Sequence, residues 1–244
     1  RRNLMSYFRE KRHIRGSYLR SLKKLQKGKK NFLVREGTDC CEVIIDKVCY
    51  VYSTSSRFPI NKLFLFKMVK RDALQFLEAH EGVFAPDEYP TAHYNEDFED
   101  DKGTIVGFDI NHAYWRIAYN LEIISEKTYR RGLGSDCKAV RLAALSTLGR
   151  KKAFKKYEKG EALKEFVITQ EQQENLQLLY TIIRFSCFEM MFEASKILGN
   201  DFDAWKTDCI YFRDTEENRK AMDEFFTIKG CTYKILEFDI PEIY

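Results

Sequence analysis

Trp205–Phe212 (WKTDCIYF) sets one carboxylate, Asp208, in an otherwise hydrophobic, strand-like run. A second acid lies upstream in Thr104–Tyr114 (TIVGFDINHAY), where an apolar run ends at Asp109 and turns into a helix that starts near His112. Strands that pair in one sheet can bring the two acids together although 99 residues separate them. Two strand-borne aspartates suit a two-metal phosphoryl-transfer site. The sequence therefore predicts that these two acids are neighbours.

The composition is that of a soluble, globular protein. The 244 residues are 44% hydrophobic and 32% charged, which is enough for one sizeable core or two small ones. No run approaches about eighteen uncharged apolar residues, so no membrane partner is expected. The Arg-rich start lacks the apolar core of a secretory signal. Seven cysteines with no C-x-x-C spacing predict reduced, buried thiols in a cytoplasmic, intracellular protein.

Positive charge is concentrated at the start of the chain. Residues 1–30 carry twelve Lys and Arg against one acid, so this segment is +11 and the remainder is −7. Phosphate neutralisation by Lys and Arg dominates nucleic-acid affinity, and the segment is therefore predicted to bind a polyanion. A solvated helix face is the alternative. The expected nucleic-acid-binding residues, including two from a second basic cluster, are Arg12, Arg15, Arg20, Lys23, Lys24, Lys27, Lys151 and Lys152.

Hydrophobic periodicity predicts an α+β fold. The basic segment is predicted to form one amphipathic helix, a hairpin is expected across Asp46-Lys47, and a mostly helical stretch is expected from about 61 to 80. The start of that stretch could equally be a strand. The residues that share one face of the amphipathic helix are Ile14, Tyr18, Leu22 and Leu25.

The second half of the chain is expected to be mainly helical around the two acid-bearing runs. Helical stretches are predicted at about 112–130 and 136–158, and a long helix at about 169–198. Its start carries a capping box, Thr169 with Gln172, and Gly199 marks its end. A polar helix over about 215–226 and a strand over 232–238 complete the order.

Composition divides the chain into three regions. Residues 1–85 form a basic N-terminal region with a helix, a hairpin and a second helix. Residues 86–102 are acidic and interrupted by proline, which predicts a linker or exposed loop. Residues 103–244 form the predicted α+β domain with its short helices.

Three short motifs resemble family B DNA polymerases, especially the viral and plasmid branch. Asp109–Tyr114 (DINHAY) is similar to motif A, commonly D-x-x-S-L-Y, and Thr207-Asp208 matches the latter part of motif C, D-T-D-S. Between them, Arg141–Gly149 (RLAALSTLG) lies in register with the family's K-x-x-x-N-S-x-Y-G. The order of the three motifs is that of the family.

The resemblance implies a polymerase palm, an antiparallel sheet packed by helices, that transfers nucleotides onto a nucleic-acid 3′ end. Asp109 and Asp208 would be both catalytic residues and ligands of two Mg²⁺ or Mn²⁺ ions. The implied partners are nucleic acid, DNA rather than RNA, and nucleoside triphosphates, in the replication of a virus or mobile element. The implied nucleotide-binding residues are Tyr114, under the sugar, Arg141, at the triphosphate, Ser146 and Gly149.

Departures from the family pattern support a second hypothesis. Lys206 replaces the first acid of motif C and Cys209 its serine, while Leu145 and Leu148 replace the Asn and Tyr of the middle motif. The family's exonuclease, long fingers and thumb are not recognisable at their usual size. A catalytically degenerate palm that binds nucleic acid or assembles into a replication complex would fit these features. A second protein subunit could also supply the missing parts.

Each site residue has a purely structural alternative. Asp109 could serve as a helix cap, and Asp208 could be accommodated on an exposed strand face or by pairing with Lys206. Tyr114 could be a core aromatic residue, and Arg141 could lie on a solvated helix face.

Overall fold

The computed structural model describes residues 9–36, 40–53, 60–80, 82–99, 103–134, 138–150, 153–167 and 171–238. Its chain forms two compact units, of which unit 1 holds residues 1–74 and 134–178, and unit 2 holds residues 75–133 and 179–244. Both units combine helices with a β-sheet, so the predicted α+β class is confirmed. Residues 134–178, expected within one domain with the acid-bearing runs, cluster instead with the N-terminal part.

Strands and helices alternate irregularly along the chain. In chain order they are β1 (Glu10–Ile14), α1 (Tyr18–Lys27), β2 (Phe32–Glu36), β3 (Cys40–Ile45), β4 (Val48–Ser53), α2 (Ile60–Ala79), β5 (Ala92–Tyr94), β6 (Ile105–Ile110), α3 (Ala113–Asn120), α4 (Glu126–Gly132), α5 (Lys138–Ser146), β7 (Ala153–Glu158), β8 (Glu161–Val167), α6 (Glu171–Leu198), β9 (Phe202–Lys206), β10 (Cys209–Arg213), α7 (Glu216–Ile228) and β11 (Tyr233–Glu237).

Unit 1 is built on a six-stranded sheet with the order β1-β4-β3-β2-β7-β8. Helix α1 packs on one face of it, because Tyr18, Leu22 and Leu25 adjoin the core formed by residues such as Phe32 and Tyr157. The helix begins where Ser17 accepts a hydrogen bond from the Arg20 amide, as an N-cap should. The predicted helix is therefore confirmed from residue 18 onward.

Ile14 corrects one detail of that prediction. It lies in β1, which pairs in parallel with β4, and not in the helix. It still joins the same core as the helical residues, because the chain turns between the strand and α1. A shared buried face therefore produced the helical spacing without a continuous helix.

Two tight hairpins shape the ends of this sheet. The predicted β3–β4 hairpin is confirmed, with Asp46 and Lys47 both at positive φ (49° and 63°), as a two-residue hairpin turn requires. The prediction of helix over 136–158 is wrong beyond Ser146, where α5 ends. The chain continues as the β7–β8 hairpin, whose turn consists of Lys159 and Gly160.

Unit 2 carries an antiparallel sheet with the order β11-β6-β10-β9-β5. Without the edge strand β5, its strands follow the chain order β6, β9, β10, β11, with helices α3, α4 and α6 between the first two strands and α7 between the last two. When the helices before β9 are taken as one helical segment, this is the strand–helix–strand–strand–helix–strand order of a split βαβ unit. The expected acidic linker contributes β5, which pairs with β9 at the edge of the sheet.

The core of unit 2 lies between one face of this sheet and its helices. Along β6, Val106, Phe108 and Ile110 are buried, whereas Asp109 between them is only half-buried, as strand alternation requires. Helix α6 packs Phe188 against Trp205 of β9. The opposite face of the sheet carries Asp109.

Several sequence predictions are confirmed in and around unit 2. The stretch predicted at about 61–80 is helical as α2, so the strand alternative is wrong. The long helix is α6, and Gly199, at φ 55°, begins the short 3-10 turn that follows it. The polar helix and the last strand are α7 and β11. Thr169 of the expected capping box lies outside the described residues.

Candidate active site

The two aspartates predicted to be neighbours lie on adjacent strands of unit 2. Asp109 near the end of β6 is the register partner of Cys209, the residue that follows Asp208. The Ile110 amide donates a hydrogen bond of 2.9 Å to the Asp208 carbonyl. This makes 109 and 209 a non-hydrogen-bonded pair, whose Cα atoms lie about 4.5 Å apart in such ladders. The Cα atoms of the two aspartates therefore lie within about 8 Å of each other.

Asp208 lies in a hairpin turn, which corrects the expectation of a strand-borne acid. Thr207 and Asp208 connect β9 to β10 and belong to neither strand. The apolar run that predicted one strand is the end of one strand and the start of the next. A turn position explains the half-buried charge, since a turn at the sheet end leaves the carboxylate accessible to solvent or ligand.

The turn is held in place from three directions. Thr207 donates its amide hydrogen to the Thr91 carbonyl at 2.8 Å, and its own carbonyl accepts a contact of 3.7 Å from the Cys187 thiol. The third contact is the bond from Ile110 to Asp208. Thr207 has φ 60°, a conformation that a β-branched residue rarely adopts. Strained backbone of this kind is concentrated at functional sites.

A row of three charged residues and one cysteine crosses the sheet at Asp109. The register runs Lys234, Asp109, Cys209, Lys206 across β11, β6, β10 and β9. Residues opposite each other in an antiparallel sheet share a face, so both lysines lie on the face that carries Asp109. Both are exposed. Lys206 therefore contributes positive charge to this face, as its place in the sequence suggested.

The charges of both aspartates affect the pKa values of two neighbouring side chains, Cys209 and Tyr211. Burial and the charges of Asp109 and Asp208 raise the pKa of the Cys209 thiol to about 11. A hydrogen bond with Cys209, burial and the same two carboxylates raise the pKa of Tyr211 to about 12. The Tyr211 ring lies over Gly107, where an added Cβ would meet it at 3.0 Å. Both carboxylates therefore lie within electrostatic reach of Cys209 and Tyr211.

Tyr114 lies near Asp208 on the side of the helices. It is half-buried on α3, and burial together with the charges of Cys187 and Asp208 raises its pKa. Tyr114 therefore lies within electrostatic reach of Asp208, and its role in binding a nucleotide stays a prediction. The positive charge of Arg184 acts on the same hydroxyl in the opposite direction.

Arg184 is a site residue that the sequence reasoning missed. Its guanidinium carbon lies 6.0 Å from the ring centre of Tyr180 and 5.8 Å from that of Phe188, and the side chain is half-buried. The sequence did contain a signal for this residue, because Arg184 is a cation within the apolar stripe of α6. Cation–π contacts with two rings hold this charge close to Tyr114.

The remaining predicted nucleotide-binding residues lie in unit 1. Arg141 on α5 is only 4% exposed, so the alternative of a solvated helix face does not describe it. Ser146 donates its hydroxyl hydrogen to the Ala143 carbonyl at 2.8 Å, at the end of the helix. Gly149 lies in the turn that follows. Their assignment to a nucleotide stays a prediction.

The predicted nucleic-acid-binding residues also belong to unit 1. Arg20, Lys23, Lys24 and Lys27 are exposed on α1, and Arg15 is exposed just before it. Arg12 on β1 is paired with Glu10 at 2.7 Å, which neutralises its charge locally. Lys151 and Lys152 lie outside the described residues.

The donors present suit a hard divalent cation. Mg²⁺ is commonly held by one or two carboxylates together with substrate phosphates, and Asp109 and Asp208 offer that set. Within the described ranges, no group of three or more His, Cys, Asp or Glu side chains is arranged to hold a metal ion. Any ion at the acid pair would therefore depend on ligands from a substrate or from water.

Comparison with known proteins yields no match to a family model, to a curated protein or to a solved structure. Among the described residues, no helix is long and apolar enough to cross a membrane.

Proposed function

We propose that this chain is a divergent, minimal palm of the family B polymerase type that transfers nucleotides onto the 3′ end of a nucleic acid, DNA in preference to RNA. The observation that carries the proposal is the register of β6 and β10, which sets Asp109 opposite Cys209 and beside Asp208. The split βαβ order of unit 2 supports it, although fold alone does not define function. The three motifs supply the reaction class.

Asp109 and Asp208 would hold the two Mg²⁺ or Mn²⁺ ions. When bound, such ions neutralise the charge of a nucleoside triphosphate and lower the pKa of an attacking hydroxyl. The protein's own contribution is to fix the two acids. The bond from Ile110 and the anchored Thr207 backbone keep the turn against β6, and this preorganisation is what phosphoryl transfer requires of a protein.

Neighbouring residues orient the substrate in this proposal. Tyr114, beside Asp208, offers a half-buried ring to the sugar of the incoming nucleotide. Its raised pKa keeps the hydroxyl protonated, so it can donate a hydrogen bond at neutral pH. Exposed Lys234, one strand from Asp109, can neutralise a phosphate of the growing strand.

Nucleotide incorporation into a primed template with Mg²⁺ or Mn²⁺ tests the proposal. We expect Asp109→Asn and Asp208→Asn each to reduce the rate by about 100-fold or more, since each removes a carboxylate that would hold the divalent ions. Glu224→Gln is the matched control, because it removes one exposed carboxylate from α7. No incorporation by the wild-type chain on any template would overturn the proposal.

The alternative function is a catalytically degenerate palm that binds nucleic acid or assembles into a replication complex. Lys206 favours it, because its ammonium group shares the sheet face with Asp109 and opposes cation binding there. Under this alternative, Asp208→Asn leaves nucleic-acid binding unchanged and there is no incorporation to lose. Under the first proposal, Lys206→Asp adds a carboxylate beside the acid pair, so it lowers the Mg²⁺ concentration that gives half-maximal incorporation.

Both functions belong to an intracellular, reducing setting, where replication takes place. None of the described cysteines forms a disulfide with another described cysteine: Cys40, Cys41, Cys49, Cys187, Cys209 and Cys231. Disulfides are rare in the cytosol, so this state supports the proposed location. A second protein subunit that supplies exonuclease or thumb functions remains part of the proposal.

A further inference from the structure

Unit 1 displays a group of lysines around the C-terminal end of α1. The helix turns Tyr18, Leu22 and Leu25 toward the sheet, which leaves its lysines exposed. The chain then continues through two more exposed lysines into β2. The lysines of this helix end are Lys23, Lys24, Lys27, Lys29 and Lys30.

The β7–β8 turn is fixed against this helix end and adds a further charge, Lys159. The Lys159 amide donates to the Asn31 side-chain oxygen at 2.8 Å, and the Gly160 amide donates to the Lys30 carbonyl at 2.9 Å. Gly160 permits the contact because a Cβ there would lie 2.2 Å from the Gln26 carbonyl oxygen. Two segments more than a hundred residues apart, at 23–30 and 159, thus form one surface, named here the lysine surface.

Two of these lysines occupy backbone positions that do not favour lysine. Lys29 has φ 49° and follows Gly28, the C-cap of α1, while Lys30 donates its amide hydrogen to the Leu25 carbonyl. This is the C′ position of a Schellman-type cap, where glycine is preferred. Lys159 has φ 50° in a two-residue hairpin turn, where asparagine is preferred. Two lysines in this unfavourable backbone conformation therefore lie on neighbouring segments of the surface.

The positive charge of the lysine surface is not neutralised locally. Of the ion pairs found between described residues, none involves its six lysines. Two acids lie at the neighbouring hairpin end. Glu158 is paired with Lys156, while Glu161 stands opposite Glu158 in the register. The surface therefore keeps a strong net positive charge.

We infer that the lysine surface binds the phosphate backbone of a nucleic acid. An amphipathic helix that binds membranes must insert its apolar face, but that face of α1 is already packed in the core of unit 1. An acidic protein partner would call for aromatic or arginine anchors, whereas this surface consists of lysines. The inference is independent of the acid pair, because it concerns binding by unit 1.

A variant that removes charge without harming the fold tests the inference. Lys29→Gly with Lys159→Asn places the preferred residues at both left-handed positions, so the full chain should melt at an equal or higher temperature. Binding to a short labelled single-stranded DNA is measured by fluorescence anisotropy between about 50 and 200 mM NaCl. We expect the slope of log K against log salt to fall by about 1.4, since each phosphate contact to a single strand contributes about 0.7.

The matched control is Lys127→Gln with Lys220→Gln, which removes two exposed lysines from α4 and α7 of unit 2. This control should keep the wild-type slope. An unchanged slope in the first variant, or an equal loss in the control, overturns the inference. The inference is also overturned if Lys29→Gly with Lys159→Asn loses binding to phosphatidylserine vesicles while its DNA binding stays intact. The anisotropy assay contains no nucleoside triphosphate and no divalent ion, so its result is separate from that of the incorporation test.

Discussion

The contact of Gly160 with α1 makes Gly160→Ala a sensitive probe of how unit 1 is assembled. An alanine Cβ would lie 2.2 Å from the Gln26 carbonyl oxygen, so the hairpin must move away from the helix. Its φ of 83° adds about 1–2 kcal/mol for a residue that carries a Cβ. Movement of the hairpin away from the helix also breaks the hydrogen bonds from the Lys159 amide to Asn31 and from the Gly160 amide to Lys30, each worth about 0.5–1.5 kcal/mol. We expect a total loss of about 2–5 kcal/mol in the free energy of unfolding.

Gly230→Ala is the control for this substitution. Gly230 has φ 67°, but a Cβ there meets nothing within 4 Å. It should therefore cost only the backbone term, about 1–2 kcal/mol. Urea denaturation followed by far-UV circular dichroism measures both variants. The reasoning is refuted if Gly160→Ala costs no more than Gly230→Ala. In DNA binding, Gly160→Ala should weaken affinity although it removes no charge, because it separates Lys159 from the helix end.

Three further predictions concern stability. Gly132→Ala should lower the free energy of unfolding by about 1–3 kcal/mol although alanine has the better helix propensity, because the alanine Cβ would lie 2.3 Å from the buried Trp115 ring. Tryptophan fluorescence during denaturation measures this loss, and a stabilised variant would contradict the prediction. Burial raises the pKa of Glu42, but the hydrogen bond of 2.7 Å from Arg35 and the positive charges of Arg35 and Lys11 together lower it overall. These ion pairs should therefore stabilise the fold at neutral pH and lose their effect as pH falls below about 4.5. Glu42→Gln should cost about 1–3 kcal/mol at neutral pH and change little in acid, and a pH-independent cost would argue against the pair. Burial raises the pKa of Cys209 from 9.0 to about 11. The free energy of unfolding should therefore fall as pH rises from 9 to 11, because the thiol of the unfolded chain releases its proton at lower pH than the buried thiol does. In urea titrations over this pH range, Cys209→Ala should show a smaller fall.

Local sequence signals predicted those elements whose formation depends on neighbouring residues. The β3–β4 hairpin, α2, α6, α7 and β11 all appear where periodicity and turn residues predicted them. One error shows the limit of such signals. The Lys-rich run over 153–158 was predicted to be helical, yet pairing with β2 makes it a strand, and this partner lies more than a hundred residues away.

The acid pair was predictable only in outline. The sequence indicated that Asp109 and Asp208 belong together, and the register bears out their adjacency. The sequence did not indicate that Asp208 lies in a turn, because apolar residues on both sides of a two-residue hairpin turn predict one continuous strand. Arg184 and Tyr211 were missed as neighbours of the acids, since each joins the site through packing between separate elements.

The sequence by itself determined the α+β class, most helices and the concentration of positive charge near the start of the chain, because these follow from composition and short-range periodicity. Tertiary structure alone decided that residues 134–178 join the N-terminal unit, that Lys159 meets the end of α1, and that Lys234, Asp109, Cys209 and Lys206 form one row. The physical reason is strand pairing: a hydrogen-bonded ladder joins residues distant in sequence, and its register is set by the burial of whole faces and not by any local pattern.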